Sequence, residues 1–269
     1  MRALGFTWLD VIALTWFFAW WIGYALFALW RSKHEPSLRS VMMQYRRDWW
    51  VRILERELRM IDTSIIANLS NSATFFASTT LLILGGLLAL LGTTDKVSAI
   101  MQGLPFKQHT SDSGWELKIL LLVAIFVYAF FKFTWSLRQH NVISVLIGAA
   151  PKVPQQAEDE ADYIERGARV SSLASEHFNY GLRAYYFAMG ALAWMINGWM
   201  FMGTTAWVVL VLYWREFRSA TVTDLLRTPA ELKRRPANIA EPGVQQDEIA
   251  LYTREPVPAD KQPAEPRVG

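Results

Sequence analysis

The side chains here that could move a proton or hold an ion are few and scattered. The four histidines, His34, His109, His140 and His177, lie far apart, and two stand beside a carboxylate, as His34-Glu35 and Glu176-His177. A His next to a Glu offers an acid and a base of different strength. Adjacent residues on a helix, however, point about 100° apart, so neither pair makes a metal site alone. The chain has no Cys, which excludes disulfides, thiol nucleophiles and thiolate-bound metals. No phosphate-cradling glycine loop, EF-hand, His-x-x-x-His pair or Gly-x-Ser-x-Gly elbow occurs. No residue is therefore assigned to catalysis or to a metal, and no cofactor is expected. A membrane-embedded enzyme using Glu176 and His177 is the alternative reading.

Two other groupings have functional spacing. The stretch 68–92, NLSNSATFFASTTLLILGGLLALLG, is apolar enough to cross a bilayer yet carries amides and hydroxyls. At about 100° per residue, Asn68, Asn71, Ser72, Thr74, Ser78, Thr79, Gly85, Gly86, Ala89 and Gly92 share one arc. The opposite arc carries Ala73, Phe76, Ala77, Ile83, Leu84, Leu87, Leu88 and Leu91, with Ser70 and Thr80 as exceptions. Small and polar groups serve close helix packing, interhelical hydrogen bonds or a wet cavity. This predicts a polar intramembrane seam (Asn68, Asn71, Ser72 and Thr79, joined by Asn197) buried against other spans, with the Phe76–Leu91 side facing lipid. The seam serves either as packing or as a binding site for a small polar solute. The second grouping is a membrane-edge charge cluster, Arg138, Glu176, His177 and Arg183, in which the arginines are expected to take carboxylate partners.

The elements that must position these groups are helices in a membrane. Hydrophobic residues make up 52% and charged residues only 19%, with 13 Trp; the long uncharged runs mark the class, since polar connections dilute the mean hydropathy to +0.15. Net charge is +3, too small to argue for nucleic acid. Four spans are predicted, at about 8–30, 68–92, 117–137 and 185–214. Trp8 and Trp30 stand about 33 Å apart on a helix, one bilayer core, with an indole at each interface. Asp10 lies near the end of this span, where it reaches water or caps the helix; a buried, proton-carrying role is the alternative. Residues 31–67 read as a basic helical connection, lying in the headgroups or extending the second span. Residues 142–150 are too short to span; they continue the third helix or re-enter the membrane. Residues 161–182 return to helical spacing, and 221–269 read as a disordered, Pro-rich, charged tail. Arg31 and Lys33 outweigh Arg2 around the first span, which puts connections 31–72 and 138–184 in the cytoplasm and both termini outside.

Four pieces occur in order: NSATFFASTTLLILGG, then WELK, FTWSLRQHN and GLRAYYF. Together they resemble the DUF599 family of integral membrane proteins of unknown function, over roughly residues 5–220. WMINGW in the fourth span departs from members that carry a Pro near this Gly. The resemblance implies about four spans and brings no activity or ligand. The reading is therefore an all-α polytopic bundle of four transmembrane helices with amphipathic helical connections. It is placed in the bacterial inner membrane as a multi-pass protein. It acts by binding, with the lipid bilayer and a second copy or another membrane protein as partners, and no nucleic acid.

Overall fold

The computed structural model describes residues 8–31, 38–93, 112–151, 157–218 and 225. Among these the architecture is all-α: α1 (Trp8–Arg31), α2 (Leu38–Glu55), α3 (Met60–Leu91), α4 (Asp112–Ala149), α5 (Ala157–Leu192), a 3₁₀ turn (Ala193–Met195) and α6 (Gly198–Phe217). Three helices are long and apolar enough to cross a membrane, over Trp8–Ala28, Met60–Leu91 and Gly114–Ala149. The tail expected to be disordered lies, apart from Leu225, outside the described residues, as do His34 and His109.

The count of four spans is not upheld, because 185–214 is not one helix. It folds as an antiparallel hairpin in which the end of α5 returns as α6. Thr204 Oγ1 donates to the Gly190 carbonyl at 3.0 Å near the tip, and Arg183 meets Glu216 at 3.1 Å at the open end. The physical reason lies in the run itself. As one helix it would measure about 45 Å, against a bilayer core of about 30 Å. Asn197 and Gly198 interrupt its middle. Asn197 adopts an extended conformation and its side chain accepts a bond from the Met200 N–H at 2.8 Å, so it caps a new helix.

α1 runs parallel to α6. Leu9 and Asp10 meet Gly198 and Trp194 at one end, and Tyr24 meets Glu216 at the other. Between them Trp21 stacks on Phe187 and Phe17 lies 5.1 Å from Phe201, so aromatic faces fill the α1–α5–α6 interface. Asp10, for which the sequence favoured water or a cap over a buried position, is buried, with Oδ1 accepting the Trp194 indole N–H at 2.9 Å. Lys118, also buried, lies 5.6 Å from the same indole.

α3 and α4 form a second antiparallel pair, with Phe76 stacked on Phe133 at 5.3 Å. α4 continues as helix to Ala149, so the piece 142–150 is not re-entrant. Its extension, with α2 and the beginnings of α3 and α5, forms a separate apolar cluster around Trp50, Ile53, Ile66, Ile143 and Ile147. Arg59 ties this cap together. It donates to the carbonyls of Ile53, Ala150 and Pro151, supplying partners for carbonyls that the end of α4 leaves unsatisfied. Asp62, fully buried at the start of α3, accepts from Trp49 Nε1 at 2.8 Å and Arg56 Nη1 at 2.7 Å.

The two faces of α3 are divided largely as the sequence indicates, with Leu88 of the apolar arc exposed, but they point the other way. Ala73, Ala77, Thr80 and Leu87 are buried in the bundle, while Asn68, Asn71, Ser72, Ser78, Gly85, Gly86 and Ala89 are exposed. Thr79 is intermediate. The expected seam is therefore not an interior surface of this chain. Hydroxyls are cheap to leave on a helix exterior when they bond back one turn, as Ser72 does to the Asn68 carbonyl and Thr74 to that of Ser70. Antiparallel pairing sets Asn68 and Asn71 level with the polar residues 138–141, past the apolar layer. Asn197 lies at the hairpin tip, the opposite end of the bundle, so it cannot join them.

Candidate functional site

Because α6 returns, its C-terminal end comes to the end of the bundle that carries α2. There α1, α2, α5 and α6 enclose a cavity of about 460 Å³, within the range of small-molecule sites. Ala25, Ala28 and Leu212 line its apolar side; Arg39, Arg46, Ser175, Glu176, Arg183, Arg215 and Glu216 line its polar side. Trp30, Trp135 and Trp214 are exposed at this end and Trp8 and Trp199 at the other, with Trp16, Trp20 and Trp207 exposed between them.

The charges in the cavity wall are unequally matched. Arg39 Nη2 pairs with Glu176 Oε1 at 2.6 Å, joining α2 to α5. Arg183 Nη2 donates to Glu216 Oε2 at 3.1 Å, and Tyr24 Oη donates to the same oxygen at 2.8 Å. The Arg183 guanidinium also lies over the Tyr24 ring at 4.9 Å, which fixes its plane. Arg46 and Arg215 differ. Arg46 Nη2 donates to Ser175 Oγ at 2.8 Å and Nη1 to Ser172 Oγ at 3.4 Å, while Arg215 Nη1 donates to Tyr186 Oη at 2.8 Å. These partners are neutral. Four arginines thus face two glutamates. Burial lowers the Arg46 guanidinium from its ordinary value, with the Glu176 charge opposing the shift. A guanidinium still stays cationic at neutral pH, so this wall carries a charge held partly out of water.

Of the predicted edge cluster, the structure brings Glu176 and Arg183 into the cavity wall and leaves Arg138 and His177 out. Arg138 lies over the Trp135 ring at 5.5 Å, and His177 packs between Trp135 and Tyr180. Arg183 has the carboxylate partner expected of it, but from α6. Adjacent Glu176 and His177 diverge, as their spacing on a helix requires. Arg39, Arg46, Arg215 and Glu216 were missed. On sequence alone the first two sit in a basic connection that lies in the headgroups or extends the second span, and a single span over 185–214 sends the last two to the far side of the membrane. The signal that could have found them is Asn197-Gly198, a turn pair inside an over-long apolar run. Among the described residues, no group of three or more His, Asp or Glu is placed to hold a metal ion.

An all-α bundle with three helices of membrane-crossing length and a cationic cavity at one end is the class of protein that this fold defines. The chain belongs to the DUF599 family: the family model, described as a protein of unknown function, matches residues 12–221. No curated protein and no solved structure matches it.

Proposed function

We propose that this is an integral membrane protein that acts by binding a small anionic ligand in the cavity between α1, α2, α5 and α6. The observation that carries the reading is Arg46: a guanidinium in the cavity wall whose hydrogen-bond partners are the hydroxyls of Ser172 and Ser175. Removing a cation from water without a carboxylate at bonding distance is unfavourable, and an incoming anion offsets that cost. The reading moves the binding site away from the α3 seam, whose polar face points outward. It also stands above the enzyme reading, since Glu176 is engaged by Arg39 and His177 lies outside the cavity.

Purified full-length protein in a neutral detergent tests it by thermal unfolding with and without small anions. The expected outcome is a higher melting temperature with an anion, an effect weakened in Arg46→Gln and kept in Arg138→Gln. Stabilisation by neutral solutes to the same extent, or equal responses of wild type and Arg46→Gln, would overturn it.

A further inference from the structure

A second hollow lies along the seam where α1 and α6 run side by side. It is a groove of about 630 Å³, and it shares no lining residue with the cavity described above. Its lining is apolar and aromatic, from Trp16 to Phe27 on α1 and from Ala206 to Tyr213 on α6. Along α1 it begins near the middle of the apolar span Trp8–Ala28 and runs to the end of it. The helical rise from Trp16 to Phe27 is about 16 Å, half of a bilayer core of about 30 Å. The groove is therefore one leaflet deep. That depth suits a lipid chain, whereas a second transmembrane helix would need the full thickness. Gly23, midway along, leaves room for a ligand: no atom lies within 4 Å of a Cβ built there. The mouth of the groove sets it apart from ordinary lipid-facing surface. The Arg31 guanidinium lies 6.0 Å from the ring centres of Phe27 and Tyr213, which both line the groove, and 5.4 Å from that of Phe217. A guanidinium over rings meets them with its face, and its N–H donors lie in its plane, where a phosphate can take two of them.

From the depth of the groove and the cation at its mouth we infer that the α1–α6 groove binds one anionic phospholipid from the leaflet on the α2 side. An acyl chain lies along Gly23 and Leu210, and the headgroup phosphate meets Arg31. A zwitterionic headgroup brings its own cation to the same place and is repelled by Arg31, whereas an anionic one is not. The site goes beyond the cavity and stands or falls separately from it.

The test titrates the full chain in dodecyl maltoside and counts bound molecules by native mass spectrometry. The probes are dioleoyl phosphatidylglycerol, dioleoyl phosphatidylcholine and the chain-free headgroup glycerophosphoglycerol. One phosphatidylglycerol is expected to bind more tightly than phosphatidylcholine, with its affinity weakened about tenfold or more in Arg31→Gln. Arg31→Lys keeps the charge, loses the fork and recovers part of the affinity. Gly23→Leu fills the groove and is expected to weaken phosphatidylglycerol to the same extent, with an unchanged melting temperature in lipid-free detergent. The two variants act at opposite ends of the ligand, so a folding fault in one leaves the other decisive. Arg138→Gln, outside the groove, retains wild-type affinity and shows that general surface charge is not responsible. Equal affinity for the two phospholipids, or wild-type affinity for phosphatidylglycerol in either Arg31→Gln or Gly23→Leu, would overturn the inference. Glycerophosphoglycerol binding as tightly as the intact lipid would overturn it too, since the groove would then contribute nothing. A dimer in detergent that Gly23→Leu dissociates would show that a second copy covers the groove, and that also overturns it.

Discussion

Gly167 lies against the indole of Trp50, and a Cβ built there would sit 2.3 Å from the ring. Trp50 cannot easily retreat. It is fully buried, and its Nε1 donates to Ser171 Oγ at 3.0 Å. Gly181 stands in the same relation to Phe133, at 2.6 Å. At these two glycines a Cβ would collide with a buried ring, whereas Gly85 and Gly86 have open space around the same position. Gly167→Ala and Gly181→Ala are therefore expected to destabilise the protein by about 1–3 kcal/mol, and Gly86→Ala to leave it unchanged or slightly more stable. Melting curves in detergent check this. A Gly167→Ala curve superimposed on wild type would mean that the indole moves aside without cost.

At the scale of the element, the α5–α6 hairpin decides most of what is specific to this fold. Its two arms are joined near the tip by the Thr204 hydroxyl, which donates to the Gly190 carbonyl. Its turn depends on Asn197, which supplies an acceptor to the first turn of α6. Asn197→Ala removes that acceptor and is expected to cost about 0.5–2 kcal/mol, whereas Asn197→Asp keeps it. Comparing the two variants by thermal unfolding separates the cap from any effect of shape. Equal losses would show that the carboxamide works in some other way. The α3–α4 pair rests on a different principle. Ala73 and Ala77 are buried there, and their small side chains give Phe76 and Phe133 room to stack.

For the whole molecule the hairpin changes the sidedness of the chain. With α6 returning, Arg215 and Arg218 join Arg31, Arg39, Arg46, Arg59 and Arg138 at the α2 end. Among the described residues only Lys118 lies in the layer of the hairpin tip. A basic excess of this size on one side directs that side to the cytoplasm. The expected topology therefore puts the start of α1 and the hairpin tip outside, and the α2 cap together with the end of α6 inside. This keeps the predicted cytoplasmic connections and reverses the expected position for the end of the last helix. A reporter active only in the cytoplasm, fused after residue 218, should be active, and one fused after residue 92 should be silent. Silence from the first fusion would mean that α6 does not return.

Composition and periodicity by themselves determined that the chain is all-α, which apolar segments form the middle of α1, α3 and α4, and most of how α3 divides into two faces. These are local properties: an apolar run of bilayer length must be helical to satisfy its own backbone, and 3.6-residue spacing sorts its side chains. The motifs NSATFFASTTLLILGG, WELK, FTWSLRQHN and GLRAYYF likewise pointed to the DUF599 family. Which face of α3 turns inward was decided only by tertiary structure. A hydroxyl bonded back to its own helix is equally content on either side, so its presence carries no sign, and the packing of Ala73, Ala77 and Phe76 against α4 settles it. The cavity was illegible for a related reason. Arg39, Arg46, Glu176, Arg183, Arg215 and Glu216 come from three helices, and they meet because one over-long apolar run turns back at Asn197.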